Sequence, residues 1–297
     1  MQGVLLSRPS EPRPVHGASR GGLVTRPLLG PQSSALSPQS FHSSRIFDAH
    51  FHIVDPRFPL VPNDGFLPEE FTCRDYLDRM RAYRLEGGVV VSGSFQAFDQ
   101  TYLVDALKTL GGHFVGVTQL PATAPDEQLV ALDWAGVRAV RFNLRRGGSE
   151  QLQNLDTLAR RARELVGWHV ELYVDSSELA HLYDTLVTLP AISIDHLGLS
   201  SEGFGTLLRL AERGVRVKAT GFGRVDFDVR SALRQLHSVN PDALMFGTDL
   251  PSTRAPRPYE DTDFALVIEA LGTEGAAKVM YQNAIDFYRP AGLKAED

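Results

Sequence analysis

From Ile46 onward, short runs of apolar, largely β-branched residues alternate with longer stretches whose apolar positions recur every three or four residues. The short runs predict strands over 46–52, 88–92, 114–119, 137–143, 169–174, 191–195, 215–219 and 243–247. The stretches between them, such as 73–84, 150–165 and 202–213, predict amphipathic helices. In one of these, Leu152, Leu155, Leu158, Ala159 and Ala162 fall on a single face. Gly136-Val137-Arg138-Ala139-Val140 and Gly214-Val215-Arg216-Val217 repeat one theme, a helix closed by glycine and followed at once by a strand. Eight strands alternating with helices predict an α/β fold of the (β/α)8 TIM-barrel type. An open, doubly wound sheet is the alternative. No G-x-G-x-x-G follows the first strand, which removes the main support for a dinucleotide-binding version of it.

Residues 1–45 break the pattern. They are rich in Pro, Ser and Gly, and hold five arginines (Arg8, Arg13, Arg20, Arg26, Arg45) against one acid, Glu11. That is a local charge of +4, leaving −10 on the rest of a chain whose net charge is −6. Without periodic apolar positions the segment has too little to bury, and it reads as a disordered or poorly ordered tail or an over-extended start. A transit peptide or a basic docking arm are the other readings. Residues 46–297 then form the domain. At 43% hydrophobic and 22% charged, the whole chain can bury one large core. The acidic balance gives no reason to expect nucleic acid or an anionic membrane as partner, and no apolar run approaches the ~18 residues of a spanning helix. The one cysteine, Cys73, excludes an intrachain disulfide and suits a cytoplasmic setting. It falls at a helix start and reads as a packing thiol. Oligomeric state is left open.

The chemistry concentrates at predicted strand ends. Asp48-Ala49-His50-Phe51-His52 closes the first strand, and alternation along a strand puts His50 and His52 on the same side. His196, in Ile194-Asp195-His196-Leu197-Gly198, ends the sixth strand, and Asp249, in Phe246-Gly247-Thr248-Asp249-Leu250-Pro251, follows the eighth. Arg141 and Asn143 end the fourth strand with Arg145 and Arg146 beyond; Tyr173 and Asp175 end the fifth; Arg224 lies just after the seventh. In a barrel all of these gather on the carboxyl-terminal rim, where catalytic groups sit. Ser94 and Gln96, after the second strand, can line the same pocket, as can the Pro-rich loop 251–258 and the turn Asn63-Asp64-Gly65-Phe66. His169 opens the fifth strand and would face the opposite rim, a structural position. His16, His42, His113, His181 and His237 lie outside the constellation.

These segments, with Val140-Arg141-Phe142-Asn143 and the stretch from Gly167 to Tyr173, resemble the amidohydrolase superfamily over about residues 46–289. The nearer resemblance is to its 2-pyrone-4,6-dicarboxylate lactonase-like branch, often described as TIM-barrel metal-dependent hydrolases. Many members place a metal-binding His or modified Lys at the end of strand five, where this chain has Tyr173. The branch with that Tyr implies a site without metal. If a divalent metal such as zinc is present, its ligands are His50, His52, His196 and Asp249.

The expected function is therefore hydrolysis of a lactone or similar cyclic ester, the substrate a small carboxylated molecule. Asp249 takes the proton from water, and His50, His52 and His196 donate to the developing oxyanion. Arg141, Arg224, Arg145 and Arg146 offer planar forks to substrate carboxylates, with Tyr173 and Ser94 as further contacts. For Asp249 the alternative is a helix N-cap after strand eight, and for Arg141 a structural ion pair. Two other functions are a decarboxylase of the same superfamily and a barrel that binds a small acid without turning it over.

Overall fold

The computed structural model describes residues 44–294. The expectations for residues 1–43 therefore fall outside the described residues. The first strand begins at Arg45, so this residue belongs to the barrel.

Eight parallel strands run in sequence order: β1 (Arg45–Phe51), β2 (Arg84–Val91), β3 (Phe114–Thr118), β4 (Val137–Asn143), β5 (His169–Tyr173), β6 (Ile192–Ile194), β7 (Arg216–Ala219) and β8 (Leu244–Phe246). One helix crosses between each successive pair: α1 (Cys73–Met80), α2 (Thr101–Leu110), α3 (Asp126–Trp134), α4 (Leu155–Val166), α5 (Leu179–Leu186), α6 (Phe204–Glu212) and α7 (Val229–Val239). After β8 come α8 (Asp261–Ala277), a π-helical turn at Lys278–Gln282 and α9 (Asn283–Tyr288). The ring is completed just past β8, where the Asp249 amide donates to the His50 carbonyl and the His52 amide to the Leu250 carbonyl, both at 2.7 Å. Gly247 permits this approach, since a Cβ there would lie 2.6 Å from the His50 nitrogen. The fold is a (β/α)8 barrel, as expected. None of the described helices is long and apolar enough to cross a membrane.

Strands covered on both sides read as mostly apolar runs, which is why the pattern found them. One apolar layer lies between strands and helices, with Ile46, Val90, Val140, Phe142 and Leu172 among its members. A second fills the barrel, with Phe47, Val89, Val117, Ala139 and Met245 meeting Ala284, Ile285 and Tyr288 of α9. So α9 closes the amino-terminal end of the barrel. β2 starts four residues earlier than predicted, because Arg84, Leu85 and Gly87 pair with β1 through backbone groups that no apolar pattern reports. The helix expected over 150–165 starts at Leu155, and Leu152 is 41% exposed in the preceding 3-10 turn rather than on the buried face. Gly136 (φ 102°) and Gly214 (φ 93°) supply the left-handed geometry that stops a helix before β4 and β7. Cys73 opens α1 behind the cap Thr72, and burial pushes its thiol up to about 11, away from nucleophile chemistry.

Candidate active site

β1 aims its imidazoles by irregularity as well as alternation. Asp48 pairs with Gly88 and Phe51 with Val90, so β1 carries one residue more than β2 over that span, a bulge. Phe51 faces out and stacks on Tyr76 of α1, while His50 and His52 turn into the barrel mouth. Asp48 is the anchor on the other side. Its carboxylate accepts from the Thr248 amide (2.9 Å) and hydroxyl (2.7 Å), from Tyr76 Oη (3.1 Å) and from the His50 amide (3.2 Å). Burial outweighs these bonds and raises its pKa to about 6. Two site residues sit on left-handed backbone, His196 (φ 51°) and Asp249 (φ 60°). Such conformations cost about 1–3 kcal/mol each and persist where surrounding structure enforces them.

Four sequence-predicted residues meet. His50 Nε2, His52 Nε2 and His196 Nε2 lie 3.8, 3.7 and 4.0 Å from Asp249 Oδ1. That oxygen is buried and has no hydrogen-bond partner. The other carboxylate oxygen accepts from Arg224 Nε at 2.7 Å. Burial alone would raise the Asp249 pKa; Arg224, with the imidazoles, holds it well below the usual carboxylate range. The N-cap alternative fails, since α8 begins only at Asp261 behind Glu260.

Proton positions follow from chemistry. A carbonyl only accepts, so His52 Nδ1–H must donate to Val91 O at 2.7 Å. That leaves His52 Nε2 to face His50. At 3.3 Å from it, His50 Nε2 is the donor. His50 Nδ1 is therefore bare, and Lys218 Nζ donates to it at 3.1 Å. Burial, then Lys218, keep the His50 pKa well below 6.5, in line with a neutral ring. His196 Nδ1 shares a proton with Thr220 Oγ1 at 2.8 Å, and burial lowers its pKa to about 3.

Beneath the imidazoles lies a charged layer in which sequence reasoning named Arg141 but missed Glu171 and Lys218. Lys218 bonds Glu171 and lies 3.7 Å from Asp195 Oδ1; Arg141 donates to Asp195 Oδ2 at 2.6 Å and to Ser92 O at 2.7 Å. All four side chains are buried. Burial and Asp195 raise Glu171 to about 7, while Arg141, His50 and Lys218 hold Asp195 low against its burial. The signal was present: Glu171 and Lys218 are charges inside otherwise apolar strands. Arg141 is thus ion-paired with Asp195 and also borders the cavity.

The cavity above is narrow, with a volume of about 30 Å³, and is lined by His52, Ser94, Tyr173 and His196, with Arg141, Arg146, Arg224 and Arg254 around it. Asp249 lies one layer below, fully buried. Among the described residues, no carboxylate lines this cavity. Arg145 is not part of it: it is exposed and faces a separate cleft between the loops after β4 and β5. Ser94 spends its hydroxyl on Asn63 Oδ1 (2.9 Å), which also accepts from Arg254 (3.0 Å). Gln96 ties Gly93 N to Ile53 O, and Asp175 caps the turn at Ser176. His169 is at the opposite end of the barrel, packed on Phe287 with ring centroids 4.1 Å apart.

Ligand atoms of His50, His52 and Asp249 are close enough together to hold a metal ion, as are those of His50, Asp195 and His196. The spacing of 3.3–4.0 Å suits donors around one ion. The protons do not: with Lys218 on Nδ1, His50 presents N–H rather than a lone pair.

The family model described as amidohydrolase matches residues 47–289. The chain is 29% identical over 238 residues to 2-pyrone-4,6-dicarboxylate hydrolase of Comamonas testosteroni, covering 69% of this chain and 76% of that one. It is 27% identical over 249 residues to 4-sulfomuconolactone hydrolase of Hydrogenophaga intermedia, covering 77% and 82%. A crystal structure of an Agrobacterium tumefaciens protein superposes with a TM-score of 0.76 at 21% identity, over 86% of this chain and all of that one, and shows the same fold. With the imidazoles, the strand-eight aspartate and the barrel joined in one match, the chain belongs to the amidohydrolase family and is a hydrolase.

Proposed function

We propose that this enzyme opens the ring of a small carboxylated lactone by hydrolysis without a metal, with Asp249 as general base. The observation that carries the reading is the unpartnered Asp249 Oδ1, set among three imidazoles beneath a cavity ringed by four arginines and no acid. The arginine ring suits an anionic substrate, and the two curated relatives are named for pyrone-dicarboxylate and sulfomuconolactone hydrolysis.

Entering water displaces the His50–His52 hydrogen bond, freeing His50 Nε2–H, and sits against Asp249 Oδ1 and His52 Nε2, which are 3.7 Å apart. Its oxygen bonds to the lactone carbonyl carbon as its proton passes to Asp249. His50 Nε2–H, backed by the Lys218 ammonium, and His196 face the developing oxyanion. The tetrahedral intermediate collapses with cleavage of the ring C–O bond, and the proton on Asp249 returns to the ring oxygen. Arg224 keeps Asp249 ionised but makes it a weak base. A substrate carboxylate that draws on the same guanidinium relieves this and strengthens the base as it binds. The arginines at the mouth, Arg146 and Arg254, with Tyr173, orient the substrate.

The test is a panel of lactones and unsaturated acids assayed in chelator with metal-stripped protein. Ring opening without CO2 release is expected, fastest for carboxylated lactones. Release of CO2, or turnover only after zinc is restored, would overturn the proposal.

A further inference from the structure

At the end of the barrel opposite the active site lies a second polar pocket, with a volume of about 230 Å³. It is lined by Arg163 and Gly167 at the end of α4, His169 at the start of β5, Arg216 at the start of β7, and Asp286 and Arg289 of the closing helix region, with Ala191 and Phe287. It shares no lining residue with the catalytic cavity.

Three guanidinium groups meet one carboxylate here, and among the described residues none of the three forms an ion pair. Arg163 Nη1 and Arg289 Nη2 both donate to the Gly167 carbonyl, at 3.0 and 3.2 Å, which fixes both at the mouth. Arg216 packs over Phe287 and His169 beside it is 5% exposed; each carries a buried nitrogen, Arg216 Nη1 and His169 Nε2, without a partner. Asp286 and Asp242 attract Arg216, but Asp242 is held by Lys278 at 3.0 Å. Arg163 and Arg289 are exposed, whereas the unpartnered Arg216 Nη1 and His169 Nε2 are buried polar atoms, which are costly unless a ligand satisfies them.

We propose that this pocket binds the phosphate group of a small oxyanion, free or as a monoester. Converging guanidinium forks suit a multivalent, tetrahedral acceptor. The pocket has room for more than the phosphate itself, so the shared chemistry is the phosphoryl group.

The test is calorimetric titration of the full-length protein with inorganic phosphate, glycerol phosphate and succinate, against sodium chloride at matched ionic strength. Saturable one-site binding of either phosphate species is expected. The tighter of the two identifies a free or an esterified ligand. Arg216→Met and Arg289→Gln should each weaken it at least tenfold, and Arg146→Met, at the catalytic cavity, should leave it unchanged. Arg289 is exposed, so its variant keeps the test valid if Arg216→Met does not fold. Binding lost in Arg146→Met and kept in Arg289→Gln would put the anion in the catalytic cavity and overturn the proposal. So would heats no larger than those of chloride, or saturable binding of succinate alone.

Discussion

Among the arginines near the site, burial decides which can serve the substrate. Arg141 is 2% exposed and committed to Asp195 and Ser92 O. Arg146 and Arg254 are partly exposed at the cavity mouth. Arg146→Met or Arg254→Met should therefore raise KM for a carboxylated substrate by about 10–150-fold, the range of a charge-assisted hydrogen bond worth about 1.5–3 kcal/mol, with kcat nearly kept. Arg141→Met should instead lose about 3–5 kcal/mol of stability, the scale for breaking a buried ion pair. Denaturant unfolding beside steady-state kinetics separates the two, and equal KM effects with unchanged stability would show Arg141 to be a substrate fork after all. Most of these residues were legible in the sequence because each stands at a strand end. What was not legible is which fork already has a partner, since Asp195 is 54 positions from Arg141 along the chain.

Strand alternation explains half of the imidazole geometry and the β1 bulge the rest. An extra residue leaves no trace in an apolar pattern, so the register at Asp48 to Phe51 could only be seen once β2 lay beside it. The same holds across β5 and β7. Glu171 and Lys218 each look out of place in their own strand, and their meaning appears only when the barrel brings them together under His50. Lys218 fixes the His50 tautomer. Lys218→Met should free Nδ1 to carry the proton toward Asp195, 3.4 Å away, and turn a lone pair on Nε2 toward His52 and Asp249. Zinc affinity should then rise at least tenfold over wild type, read by competition with a metal indicator. No change in affinity would mean that Lys218 does not govern the tautomer.

The barrel as a whole carries buried histidines that acid must charge. Burial holds His50, His169 and His196 well below 6.5, the last at about 3. Below 6.5 the unfolded chain takes up protons that the folded one refuses, so their stabilising share is complete above 6.5 and lost as pH falls. The raised carboxylates Asp48 and Glu171 act oppositely, favouring the folded state at lower pH. His169→Phe removes one uptake site far from the chemistry. Its unfolding free energy should fall by about 2 kcal/mol less than wild type between pH 7 and pH 5, at about 1.4 kcal/mol per proton per pH unit. Urea titrations at both pH values in phosphate-free buffer check this, and parallel losses would contradict it. At this scale the fold was readable from eight alternating repeats, whereas the plug formed by α9 was not, because its apolar face reads like any terminal helix. The hydrolytic account rests finally on one carboxylate inside that barrel. The most direct measurement is kcat and KM of wild type and Asp249→Asn on a carboxylated lactone, both metal-stripped and assayed in chelator. Full wild-type turnover is expected, with kcat lower by about 10² or more in the variant and KM within a few-fold. Unchanged kcat in Asp249→Asn, or a wild type that is inert until zinc is added, would contradict the account.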